Sequence, residues 1–348
     1  MKLVKVVGIG FLGVALGLIA YSPSVGATTF PGGNGAIAFS GMSTQGQGVW
    51  KVANIGGAKQ LLAGSAHSPA WSPDGGTMVV VGKTDRGDDL QIMNADGSAR
   101  RDLTPRSHGT ESSPVWSADG QRIAFVREET VLFGLTRSAV MTITPDGSNE
   151  RNVTGWLYSG HYASPSWSPD GRQLVYEKAY HGSRQLIIKD TMTSKGRTLT
   201  TLTDDVDSHV SWSPAGNKIL YSDSQNEVYT IWTDGSHRTV ISDGDSYDAA
   251  WSPDGKQIAF LEDKNGDEIS ISGEDGSVTQ LPIRKESYSR LATPVWSPDG
   301  KKMVFAMQYG EAESQTSDIF TYDLRAGDPV PVWLASGNLS ELTWQPLQ

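Results

Sequence analysis

The acids and histidines of this chain fall into groups, and the grouping is the first pointer to chemistry. Asp204, Asp205 and Asp207 stand just before His209, and Asp243, Asp245 and Asp248 stand just before Trp251. Carboxylates gathered from two neighbouring segments concentrate negative potential, which suits a cation or a basic partner. With His209, the carboxylates Asp207 and Asp248 also make up the set an acid–base enzyme needs, an imidazole with acids to orient it. The plainer reading of both groups is a solvated rim on an acidic protein. Asp263, Asn265 and Asp267 offer oxygen ligands at alternate positions, as the start of a calcium loop does. The later glycine and distal glutamate of such a loop are missing, and a hairpin turn explains the segment as well. Calcium is the only cofactor the sequence admits, and otherwise none is expected.

A second group is aromatic. Trp156, Tyr158, His161 and Tyr162 lie in one segment, and Tyr180 and His181 lie a short way on. Aromatic platforms with polar tips suit a peptide or a sugar; the alternative is that they pack the loop against itself. The six histidines form no HExxH pair. His67, His161 and His209 each fall shortly before a repeated tryptophan, and a metal-binding ring could be built from them, although scattered loop histidines need no such reason. Arg86-Gly87-Asp88 is read as a coincidental tripeptide. With no cysteine and no G-x-S-x-G, the chain has no thiol chemistry, no disulfide and no nucleophile elbow.

All of these residues are positioned by a repeat. Trp71, Trp116, Trp167, Trp212, Trp251 and Trp296 each open a WSPDG-like motif, and Trp344 opens a degenerate seventh, WQPL, at spacings of 39 to 51 residues. That period, with short apolar strands between, predicts propeller blades of four antiparallel strands. In the motif, Pro73 presets the backbone of a type I turn, Asp74 fits its third position and Gly75 takes the positive φ after it. Each tryptophan is a large anchor for the space between sheets. The strand Ala36–Ser40 has no such motif before it, and Trp344 has no strand after it. The two halves complete one blade, so the chain is expected to be an all-β, seven-bladed propeller closed by pairing its C-terminal strand with its N-terminal one; six or eight blades would need a mis-read unit. Little or no helix is expected.

Residues 1–27 read as a secretory signal peptide: Lys2 and Lys5, an apolar run from Val6 to Ala20, then Val25-Gly26-Ala27 at the cut. The run is too short to favour an uncleaved spanning helix, so no stable membrane insertion is expected after cleavage. Residues 28–35 form a short linker and 36–348 one propeller domain. The formal net charge is −10, and about −12 once the two leader lysines are gone. Phosphate binding needs a basic footprint, so nucleic acid is excluded as a partner.

The recurring WSPDG turn, the IAF-like strand after it and the xxDG turn resemble the TolB-type family of Pro-Asp-repeat propellers over essentially the whole mature chain. The resemblance implies an exported protein, periplasmic or extracellular. Its known relatives include periplasmic proteins that bind partners such as the peptidoglycan-associated lipoprotein, gating domains of serine peptidases, and lyases. The N-terminal α/β domain of TolB proper and a C-terminal hydrolase domain are not expected here. The leading expectation is a non-catalytic protein- or peptide-binding module. The alternative is a secreted polysaccharide lyase or hydrolase with its site at the channel mouth, and a third reading is a module of a surface assembly. The tentative binding residues are Trp156, Tyr158, His161, Tyr162, Tyr180, His181, Asp207, His209 and Asp248.

Overall fold

The repeated turn is a self-bonded unit. Ser72 Oγ donates to Asp74 Oδ1 at 2.5 Å, Asp74 Oδ1 accepts from the Gly76 amide at 3.0 Å, and the Gly75 amide donates to the Ser72 carbonyl at 2.8 Å. The Ser–Asp bond recurs at Ser117–Asp119, Ser168–Asp170, Ser252–Asp254 and Ser297–Asp299. In the WSPAG variant, Ser213 Oγ donates instead to Asn217 Oδ1 at 3.3 Å. Gly75 has φ +67°, and a Cβ there would overlap the Pro346 carbonyl oxygen, so conformation and space both demand glycine.

A computed structural model describes residues 29–348 apart from 44–45, 106–108, 194, 203–208, 224–225, 243, 245, 264–267, 284–288, 310–315, 327–328 and 333–338. The candidate leader lies outside the described residues. The turns join strands into seven antiparallel sheets, six of four strands and one of five. The innermost strands are Leu339–Leu347, Ala66–Trp71, Thr110–Trp116, Gly160–Trp167, Ser211–Trp212, Ser246–Trp251 and Ser289–Trp296, in blades one to seven. Six of them pack against the innermost strand of the next blade, and between blades five and six the second strand Lys218–Ser222 packs against Ser246–Trp251, which sets them around one axis. Among the described residues the only helical element is a 3-10 turn, Leu132–Gly134.

The core lies between blades. Phe39, Phe125, Tyr176, Tyr221, Phe260 and Phe305 hold the same place on the second strands of blades one and three to seven, with Val80 there in blade two, and all are buried. Three of the motif tryptophans bond one blade to the one before. Trp116 Nε1 donates to the Ala70 carbonyl at 3.1 Å, Trp167 Nε1 to that of Val115 at 3.2 Å, and Trp296 Nε1 to that of Ala250 at 3.1 Å. In each case the acceptor is the residue before the preceding blade's own tryptophan. Charged groups add to the seams: Glu111 accepts from the Leu90 amide at 2.9 Å and from Thr104 Oγ1 at 2.6 Å while it pairs with Arg127 at 2.8 Å.

The ring closes as the split repeat requires. Leu339–Leu347 pairs antiparallel with Gly33–Ser43, with Ile37 opposite Trp344. Gln345, which replaces the usual serine, accepts from the Ala36 amide at 3.0 Å and donates to the Gly75 carbonyl at 2.8 Å, so one side chain ties the closing strand to two neighbours. The first strand begins at Gly33, inside the stretch read as linker, because Gly33 and Asn34 pair with Leu347 and Pro346. Before it, Thr29 Oγ1 donates to the Trp296 carbonyl of blade seven at 3.2 Å, while Phe30 is buried in the cluster formed by blades two and three. The chain thus crosses the inner edge of the ring at its turn-bearing face.

Candidate functional site

Five innermost strands break register against the second strand at one point, and in blade one the register shifts twice, between Asn34 and Ile37 and between Ala38 and Ser40. In the five, the bulge falls between His67 and Ala70, Ser112 and Val115, Ala163 and Ser166, Tyr247 and Ala250, and Ala292 and Val295. Three residues before five of the tryptophans the backbone is left-handed: Ser68 (φ 50°), Ser113 (55°), Ser164 (50°), Asp248 (51°) and Glu341 (56°). His209 holds the same offset in blade five. The left-handed backbone thus recurs in blades one to four and six while the side chain changes, from serines in blades two to four to Asp248 and Glu341, with His209 at the same offset in blade five.

These side chains meet across blades. Glu341 accepts from the Ser68 amide at 2.6 Å, from Ser68 Oγ at 2.7 Å and from Ser40 Oγ at 2.6 Å. His209 Nδ1 lies 3.5 Å from Asp248 Oδ1, with the two side chains 13% and 4% exposed. His209 Nε2 is buried and has no hydrogen-bond partner among the described residues. Such a pair can hold an imidazole by one nitrogen and leave the other to accept a proton or a hydrogen bond.

A second group looks like an acyl-transfer triad by composition only. His67 Nδ1 is 3.0 Å from Ser68 Oγ, and His67 Nε2 is 3.6 Å from Asp88 Oδ2. The second distance is beyond a hydrogen bond, and the Ser68 proton is committed to Glu341.

The aromatic segment and the Tyr180 turn are neighbours, with Gly160 opposite Tyr180 and His161 opposite Ala179. Its members divide. Trp156 packs against the cluster of blades two and three, and the Arg137 guanidinium lies 4.0 Å from its ring centroid. Tyr162 is buried edge-on to Tyr176, with ring centroids 5.5 Å apart. Burial pushes the hydroxyl pKa of both tyrosines up. Tyr158 and Tyr180 are exposed; Tyr158 accepts from Arg137 at 3.4 Å, and Tyr180 packs on His181 with centroids 4.0 Å apart. His161 is half-buried on the innermost strand of blade four.

Asp207, Asn265 and Asp267 lie outside the described residues, as do Asp204, Asp205, Asp243, Asp245 and His108; Asp263 is exposed. Among the described residues no group of three or more His, Asp or Glu is placed to hold a metal ion, and no helix is long and apolar enough to cross a membrane. Sequence reasoning missed Ser68 and Glu341. The signal for them was present, because both sit at the constant offset of three before a motif tryptophan.

Seven four-stranded blades with this turn define a β-propeller of the Pro-Asp-repeat class. The chain belongs to the TolB β-propeller domain family, whose model matches residues 36–241 and 131–348. It is 31% identical over 152 residues to the TolB homologue of Chlorobium luteolum, a match covering 43% of this chain and 33% of that protein. The chain therefore meets only a third of that relative's length. Among solved structures it resembles TolB from Acinetobacter baumannii, with a TM-score of 0.57 at 18% identity over 92% of this chain and 69% of that one. It also resembles oligogalacturonate lyase from Vibrio parahaemolyticus, with a TM-score of 0.61 at 14% identity over 86% of each chain. At these identities the structures speak for the fold alone.

Proposed function

We propose that this chain is an exported, non-catalytic propeller that binds a protein or peptide through its loop face and the mouth of its axis. The observation that carries this reading is the set of bulges on the innermost strands, one left-handed backbone shape recurring in five of the seven blades and furnished with different polar side chains. A fixed frame with variable side chains suits recognition of an extended or protruding ligand. Its Glu341 sector is internally hydrogen-bonded and so supplies shape and charge rather than a free reactive group. The family resemblance and the candidate leader support an exported setting. Pull-down from envelope extract on the immobilised mature chain tests it: a specific partner should be retained and should be lost in Ser113→Tyr, which fills the mouth. No partner, together with turnover of a polymer, overturns the reading.

A second reading, a secreted lyase or hydrolase, is favoured by one observation, the free Nε2 of His209 beside Asp248. There His209 would act as proton acceptor and Asp248 as its positioning group. Activity on a panel of glycans and peptides that disappears in His209→Ala supports it; an inert parent chain removes it.

A further inference from the structure

One exposed apolar feature among the described residues belongs to neither the axis nor the WSPDG turns. The hairpin between the second and third strands of blade three, Ile123–Thr130 and Thr136–Ile143, ends in Val131-Leu132-Phe133-Gly134-Leu135. Leu132 is 81% exposed and Phe133 104%, and Leu135 is exposed as well. Phe133 has φ +64°, a conformation an aromatic residue rarely adopts, inside the 3-10 turn that thrusts the tip outward. The tip is braced: the Val131 amide donates to the Leu135 carbonyl at 2.7 Å.

The apolar surface continues sideways. The short strand Leu157–Tyr158 adds to the same sheet opposite Arg137 and Ser138, which makes blade three the one with five strands. The Ser159 amide donates to the Thr136 carbonyl at 3.1 Å, and Tyr158 is exposed beside it. Gly160 then faces Tyr180 in blade four, also exposed. Five of the exposed large apolar side chains thus fall on two adjacent loops and one hairpin tip, and an exposed patch of this kind marks an interaction site.

We propose that the tip Leu132–Leu135, with Tyr158 and Tyr180 beside it, docks into a protein partner that offers an apolar pocket rimmed by lysine or arginine. The tip is convex, so its partner must be concave. The charge decides the rim. Arg137 is spent on Glu129 at 2.6 Å, whereas the exposed Glu128 at the base of the tip has no cation beside it among the described residues. Lys178, 6.0 Å from the Tyr180 ring, is the cation at the far end of the strip. The chain as a whole carries −10. That charge opposes both a second copy and an anionic bilayer. The cleft between the turns of blades two and three is lined by Asp74, Asp119 and Asp146 with one Arg101, so it is no match for a tip flanked by Glu128. This surface stands on second and third strands and is independent of the axial ring.

The test replaces Phe133 with the photo-crosslinker p-benzoylphenylalanine in the full chain, exported by its own cells. The expected product is one partner protein, cross-linked at an apolar pocket with lysine or arginine at its edge. Leu132→Ser should lower the yield at least about tenfold, as loss of a central apolar anchor does, and Glu128→Lys about fivefold, as reversal of a rim charge does. Ile55→Ser, at an exposed apolar residue of blade one outside both surfaces, should leave the yield unchanged. Leu132 and Glu128 are exposed, so the melting temperature of these variants should match the parent's and separate binding from folding. Crosslinks to lipid or to a second copy, a partner site without cations, no crosslink, or yields unaffected by Leu132→Ser each overturn the proposal.

Discussion

Glu341, near the C-terminal end, holds Ser68 of the second blade by both its amide and its hydroxyl, at 2.6 and 2.7 Å. Ser68 sits at φ 50° where the innermost strand bulges, and Glu341 does the same one blade earlier at φ 56°. Two strained residues, 273 positions apart in the chain, thus share a carboxylate. The contact lies next to the closing seam of the ring, since Ser40 of the first strand donates to the same oxygen as the Ser68 amide.

Replacing Glu341 with leucine takes the acceptor from Ser40 Oγ and leaves the Ser68 amide only Ser40 Oγ at 3.1 Å and Ser68 Oγ only His67 Nδ1 at 3.0 Å. Unmet buried donors cost about 1–3 kcal/mol each, and water reaches this half-buried site, so a net loss of about 2 kcal/mol is expected. Urea unfolding should show it as a lower midpoint with an unchanged slope. Glu341→Gln keeps acceptor capacity and should recover part of the loss.

The motif tryptophans should not be equivalent. Trp116 Nε1 has the Ala70 carbonyl as partner, whereas Trp71 Nε1 is buried without one. Tryptophan to phenylalanine removes similar area at both, but at Trp116 it also strands a carbonyl. Trp116→Phe should therefore destabilise more than Trp71→Phe, by about 1 kcal/mol. Equal losses would show that the indole hydrogen bond contributes nothing.

Deleting residues 342–348 removes Trp344, Gln345 and most of the strand that pairs with Gly33–Ser43. The first strand then becomes an open edge, and edges invite aggregation. The truncated chain should lose its cooperative melting transition and elute as larger species in size-exclusion chromatography.

Acid should weaken the turns. The Ser72 hydroxyl, and next the Gly76 amide, hold Asp74 below the ordinary carboxylate range; Ser168 and the Arg172 amide do the same for Asp170. Asp146 is brought down to about 2, chiefly by the Thr144 hydroxyl and the Ser148 amide. A depressed folded-state pKa means stability that is present above the unfolded value and lost as pH falls through the folded one. The melting temperature should therefore decline between about pH 4, the ordinary aspartate range, and the pH near 2 where Asp146 protonates. Asp146→Asn should flatten part of that decline.

The fold was legible because its signature is local and repeated. Pro73, Asp74 and Gly75 specify a turn from three adjacent residues, and seven tryptophans at blade spacing count the blades. The closing strand was legible too, since Ile37 and Trp344 are complementary halves of one unit. The candidate site was much less so. Trp156 and Tyr162 look the same in sequence as Tyr158 and Tyr180, yet the first pair is packed inward and the second is exposed. Which face an aromatic takes depends on what lies opposite it, here Arg137 and Tyr176, and those neighbours are set by pairing across strands.

The amino-acid sequence by itself determined the propeller, its seven blades and the way the ring closes, because turn chemistry and strand period act over a few residues and recur. Only the tertiary structure decided which side chains meet: Glu341 with Ser68 and Ser40, His209 with Asp248, and the tip at Phe133 with Tyr158 and Tyr180 beside it. Those contacts join residues from different strands, most of them on different blades. Closing the ring makes them neighbours, so the offset before each tryptophan can point to such residues but not to the contacts they make.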